Sequence, residues 1–140
     1  MTPAQLELVK ASYAQLSDGG AEMAADFYSN LFELDPSARA LFATDPAVMS
    51  VKFSGELAAI VEAITSYETF SSRVHDLAVR HAQYGVLTHH YRAAGQALVG
   101  ALASHLPDIW DAELEAAWRR AYNLVAEMMM ATPPTDAARA

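Results

Sequence analysis

The sequence predicts an all-α fold of about six main helices plus a short one, and three observations carry that reading. Apolar residues recur every three or four positions almost throughout, the spacing that lays them along one face of a helix. No segment sustains the period-two alternation of a half-buried strand. Helix-start devices stand at Thr2-Pro3, Asp35-Pro36 and Asp45-Pro46, each a side-chain acceptor followed by a proline whose fixed φ suits a first turn. The connections are too short to hide a second domain, so packing in crossed helix pairs is expected.

The elements follow in order. Thr2 caps the first helix and Gln5 stands where a capping box needs it; Leu6, Val9, Tyr13 and Leu16 then mark one face until Asp18-Gly19-Gly20 stops it. A second helix starts near Ala21 and carries Met23, Phe27 and Leu31, with Tyr28 a little round the face. Asp35-Pro36 opens a short segment ending near Leu41-Phe42. Asp45-Pro46 opens a longer helix with Phe53, Leu57, Ile60, Val61 and Ile64 in line. The spacing of Phe70, Val74, Leu77, Ala78 and His81 predicts a helix over 70–81, broken at Tyr84-Gly85. The next runs over 88–106, with Tyr91, Gly95, Leu98, Val99 and Leu102 on its face, and ends at Pro107. The last, about 110–130, turns Leu114, Trp118, Ala121, Tyr122, Val125 and Met128-Met129 inward. Residues 133–140 read as a disordered tail.

Composition narrows the functional classes. At 140 residues with 53% apolar content, one domain with a real core is expected over residues 1–132. Seventeen acidic against nine basic residues give a net charge of −8, which repels phosphate backbones and anionic lipid, so neither nucleic acid nor membrane is an expected partner. With no cysteine there is no disulfide, thiolate metal site or thiol nucleophile. No leader pattern and no apolar stretch of bilayer length is visible, so a cytoplasmic protein is expected.

His81 is the odd member of an apolar stripe. It is either a core histidine with its ring hydrogen-bonded or a ligand aimed at something buried. Competing constellations are weak. His89 and His90 are adjacent, so on a helix they are expected to diverge by about 100° and not to share one metal ion. There is no HExxH, no calcium loop, no GxSxG and no glycine-rich phosphate loop. What remains is one imidazole on an inward face among large apolar side chains, a combination that suits iron and a porphyrin.

At this point the sequence resembles the globins, most of all the bacterial single-domain haemoglobins and the haem domain of flavohaemoglobins. The likeness rests on FYSNLFELDPSARALF (27–42), VRHAQYGV (79–86), HHYRAAGQALVGAL (89–102) and AAWRRAYNLVAEMM (116–129), in matching order and spacing. It implies a globin fold, a crossed-pair helical sandwich around a haem pocket, with haem b as cofactor. It also assigns roles. His81 would be the proximal iron ligand, its second ring nitrogen bonded to a carbonyl near Leu77. Phe42 would press on the porphyrin, and Tyr91 and Val86 would line the proximal side. Tyr28 would donate a hydrogen bond to bound dioxygen, and Phe53 would line the distal pocket. Lys52 and Arg80 would meet the haem propionates or remain solvated surface charge.

Two departures stand out. Where the family has a distal glutamine or histidine, counting back from His81 gives Met49, whose sulfur, or the Lys52 amine, could take the sixth position. Where flavohaemoglobins place a late glutamate, the chain has Pro133-Pro134-Thr135, with Asp136 one residue off. The implied function is binding of dioxygen, and of CO and NO, for oxygen binding, storage or delivery. Nitric oxide dioxygenation would need a separate reductase, since no flavin domain is present; a haem-based or haem-free sensor or interaction module is the third reading.

Overall fold

Six α-helices and two 3₁₀ segments make up the computed structural model, which describes residues 1–42 and 45–131. The helices are α1 (Pro3–Tyr13), α2 (Ala21–Leu34), α3 (Pro46–Ala63), α4 (Tyr67–Gln83), α5 (Thr88–His105) and α6 (Ala112–Met130). The 3₁₀ segments are Ser17–Gly20 and Pro36–Leu41. Among the described residues there is no strand.

The helix starts follow local chemistry. Thr2 Oγ1 accepts the Gln5 amide at 3.1 Å while Gln5 Oε1 accepts the Thr2 amide at 3.0 Å, the reciprocal box read from the sequence. Asp35, Asp45 and Asp111 each accept a backbone N–H just inside the element they cap. The chain turns between α1 and α2 through three residues of positive φ, Asp18, Gly19 and Gly20. Gly20 is required there twice over: φ is +93°, and a Cβ would lie 2.7 Å from the Tyr13 hydroxyl, which bonds to the Gly19 and Ser54 carbonyls.

Two helix starts carry features that the sequence reading lacks. α4 begins at Tyr67 rather than Phe70, because its first turn, Tyr67-Glu68-Thr69, is exposed and carries no apolar mark. α5 has no Ser, Thr, Asn or Asp cap; instead His90, at its third position, turns back so that Nδ1 accepts the Leu87 N–H at 2.9 Å. That fold-back corrects the expected divergence of His89 and His90: their rings lie with centroids 4.1 Å apart.

The core lies where the helices cross. α2 packs most extensively on α5, then on α3, while α6 closes against α4, α1 and α5. Val9, Val74 and Leu102 are completely buried. Buried Trp118 on α6 donates its indole N–H to the Ser12 hydroxyl on α1 at 2.9 Å, and that hydroxyl donates on to the Val9 carbonyl. Ser12→Ala leaves the indole N–H without a partner in an apolar interior. We expect a loss of about 1–3 kcal/mol, read as a lowered denaturant midpoint at unchanged m-value.

Candidate functional site

A cavity of about 360 Å³ opens between α2, the 3₁₀ segment Pro36–Leu41 and α3 to α6. Its wall is largely carbon, with Phe27, Leu31, Phe42, Phe53, Leu57 and Leu98 among the lining side chains. The polar groups that reach it are few, and each has a distinct setting.

His81 lines the cavity from the last turn of α4. Its Nδ1–H donates to the Leu77 carbonyl one turn earlier at 3.0 Å, as carbonyls cannot donate, so Nε2 carries the lone pair. Burial holds the imidazole below its ordinary pKa, the Leu77 bond opposing that shift in part, so the neutral ring is favoured. The Tyr91 ring lies nearly parallel to the imidazole, 25° between planes, with centroids 6.4 Å apart. Tyr91 is in turn pinned from behind, since the Tyr122 hydroxyl on α6 donates to its carbonyl at 2.6 Å. Gly95 makes this approach possible: a Cβ there would stand 2.8 Å from Tyr122 Cε2. Burial raises the pKa of both phenols, which remain neutral hydrogen-bonding groups.

Tyr28 enters the cavity from α2 inside an aromatic cluster. Phe27 and Phe53 stack at 4.3 Å with 7° between planes, and Tyr28 meets Phe27, Phe42 and Phe53 edge-on at 5.1, 5.1 and 5.7 Å. Packing on several sides fixes the ring. Its hydroxyl has no hydrogen-bond partner among the described residues, and burial pushes it up to about 12. The result is a neutral O–H donor held among aromatic side chains on the cavity wall.

Charge gathers on one edge. Lys52 and Arg80 are exposed, and Arg80 reaches Glu56 at 3.3 Å, joining α4 to α3. The pair is too solvated to stabilise the fold much.

Phe42, Lys52, Phe53, Leu77, Arg80, His81, Val86, Tyr91 and Tyr28 therefore all line one cavity. Met49 does not. It is buried on the same α3 stripe as Phe53 and Glu56, but one turn nearer the helix start, and it is absent from the wall. Asp136 and the 133–140 tail lie outside the described residues. The sequence reading missed Glu56, Tyr84, His90, Trp118 and Tyr122 as wall residues. Periodicity placed Trp118 and Tyr122 in the core, and nothing local in α6 marks a hollow beside them.

Residues 25–129 match the Globin family model. The chain is 26% identical over 140 residues to an anaerobic nitrite reductase of Physcomitrium patens, covering 89% of this chain and 78% of that protein. It is 33% identical over 135 residues to the flavohemoprotein of Deinococcus radiodurans, covering 93% of this chain but only 33% of the flavohemoprotein. Among solved structures, an engineered carbene transferase from Rhodothermus marinus superposes with a TM-score of 0.82 at 26% identity, covering 92% of this chain and 90% of the other. The matched segment spans both His81 and Tyr28 and the helices that carry them, and the helical architecture agrees with the solved neighbour: the chain belongs to the globin family.

Proposed function

We propose that the chain binds haem b in this cavity and holds dioxygen, carbon monoxide or nitric oxide there, for oxygen binding, storage or delivery. The observation that carries the reading is His81, a neutral imidazole on the cavity wall whose Nδ1–H is engaged by Leu77 and whose Nε2 keeps its lone pair. The rest of the wall fits the group. Flat aromatic side chains and aliphatic carbon suit a porphyrin's faces, and Lys52 and Arg80 on the charged edge suit its carboxylates. Haem, when bound, supplies an iron that accepts one protein nitrogen and one diatomic gas.

The chain's own residues do the rest. His81 is the iron ligand, and the Leu77 carbonyl fixes its ring orientation and raises its basicity. Phe42 and Phe53 exclude water from the gas site. Tyr28 offers its unpartnered hydroxyl to the polar end of a bound gas, a donor strengthened by the low dielectric around it. Arg80 exchanges the Glu56 carboxylate for a haem carboxylate, or shares itself between the two. A cytoplasmic setting belongs to the same reading; among the described residues no helix is long and apolar enough to cross a membrane.

Optical spectra of the purified chain, oxidised, reduced and reduced under carbon monoxide, test the proposal. A Soret band that moves on adding carbon monoxide is expected, and a folded but colourless chain after expression with haem supply overturns it.

A second reading is redox turnover of nitric oxide or nitrite with electrons from a separate reductase. It is favoured by the relatives' names, an anaerobic nitrite reductase and a flavohemoprotein; the chain spans about a third of the latter. Sustained turnover with an added reductase, against a single stoichiometric reaction, separates it from gas binding alone.

A further inference from the structure

We propose that Asp35, His89 and His90 form a binding site for a divalent first-row cation of the zinc class, independent of any haem iron. One ligand atom from each of the three lies within 4.8 Å of the others. His89 Nδ1–H donates to Asp35 Oδ2 at 2.6 Å, which holds these two groups side by side. Two imidazoles and a carboxylate, with no thiolate, are the donor set of zinc sites that keep a fourth position for water.

The donors sit on defined elements. Asp35 caps the 3₁₀ segment Pro36–Leu41, and the two histidines stand in the first turn of α5. Ser37 holds the carboxylate in orientation: its N–H and hydroxyl both donate to Oδ1, at 3.2 and 2.5 Å, which leaves Oδ2 turned to His89. This is the outer hydrogen bonding that ligating carboxylates require. His90 is buried and fixed, whereas the His89 side chain is half exposed, which gives an ion a route in.

Three adjustments are needed, and all are local. His89 Nδ1 must first shed the proton it now donates to Asp35 Oδ2, so that its lone pair faces the ion. Donors around a tetrahedral zinc ion at about 2.0–2.2 Å stand roughly 3.3–3.6 Å from one another, so the widest pair, within 4.8 Å, must close by up to about 1.2–1.5 Å. The Asp35–His89 pair, at 2.6 Å, must open by about 0.7–1.0 Å. His90 Nδ1 now accepts the Leu87 N–H, so its proton sits on Nε2, which faces the Ser37 hydroxyl at 3.3 Å. Coordination through either nitrogen gives up the Leu87 cap bond, and a metal–nitrogen bond replaces it. The net charge of −8 favours the cation's approach.

Bound there, the ion ties the segment leading to Phe42 to the start of α5. The full chain, cleared of metal with a chelator and titrated with zinc chloride by calorimetry, tests this. One ion per chain at micromolar affinity is expected. His89→Gln and Asp35→Asn should each weaken it at least about tenfold. Asn still caps a helix start, and circular dichroism verifies the fold of both variants. His105→Gln should change nothing, because the His105–Asp26 pair offers only two donors. No saturable binding below about 1 mM overturns the proposal. So does one-ion binding that survives in both His89→Gln and Asp35→Asn. The haem spectrum is read separately, on chain without added zinc.

Discussion

His81→Ala is expected to lower the haem retained by the purified chain at least tenfold, with helical content unchanged by circular dichroism. Losing even an outer partner of a metal ligand commonly weakens metal binding about 10–100-fold, and here the ligand itself is lost. The variant should fold, because His81 is only half-buried and its one hydrogen bond runs to a carbonyl in its own helix. Truncation leaves room beside Tyr91 and Leu77, so added imidazole should restore a good part of the haem and its absorbance. Rescue distinguishes a missing ligand from a damaged fold. Normal haem content in the variant, without imidazole, would remove His81 from the iron.

Tyr28→Phe is expected to speed dioxygen dissociation by about ten- to hundredfold, measured by stopped flow against a ligand trap. A hydrogen bond to a charged or strongly polarised acceptor contributes about 1.5–3 kcal/mol, and about 1.4 kcal/mol is a factor of ten. The substitution deletes one oxygen and preserves the ring contacts with Phe27, Phe42 and Phe53. Carbon monoxide, less polar when bound, should respond far less, and the contrast between the two gases isolates the hydrogen bond. Equal off-rates for dioxygen in the two proteins would take Tyr28 out of the binding chemistry.

How much of this could be read from the sequence depended on range. The starts governed by Thr2, Asp35 and Asp45 involve partners two or three residues apart, so composition alone exposes them. The His81–Leu77 bond is equally local, one turn of a helix whose apolar stripe is plain. α4's first turn was illegible because exposed Tyr67, Glu68 and Thr69 interrupt the pattern without interrupting the helix. The meeting of His89 and His90 was misread for a related reason: a regular helix separates neighbours, but here a ring bends back to cap an amide. Wall residues of α6 stayed hidden because a core position and a cavity position have the same periodicity; only the tertiary packing distinguishes them. Met49 illustrates the limit on α3: counting back from His81 selects it, yet it is buried away from the cavity wall, because a count along the chain carries no information on where the hollow ends.

The Trp118–Ser12 bond bears on how the molecule assembles during synthesis. Its two ends are 106 positions apart, and α1 packs chiefly on α6. A growing chain therefore presents the Val9 and Tyr13 face to the ribosome's surroundings until α6 has been translated. Early release of a fragment lacking α6 should leave that face sticky, and holding chaperones should bind the fragment but not the domain that includes α6.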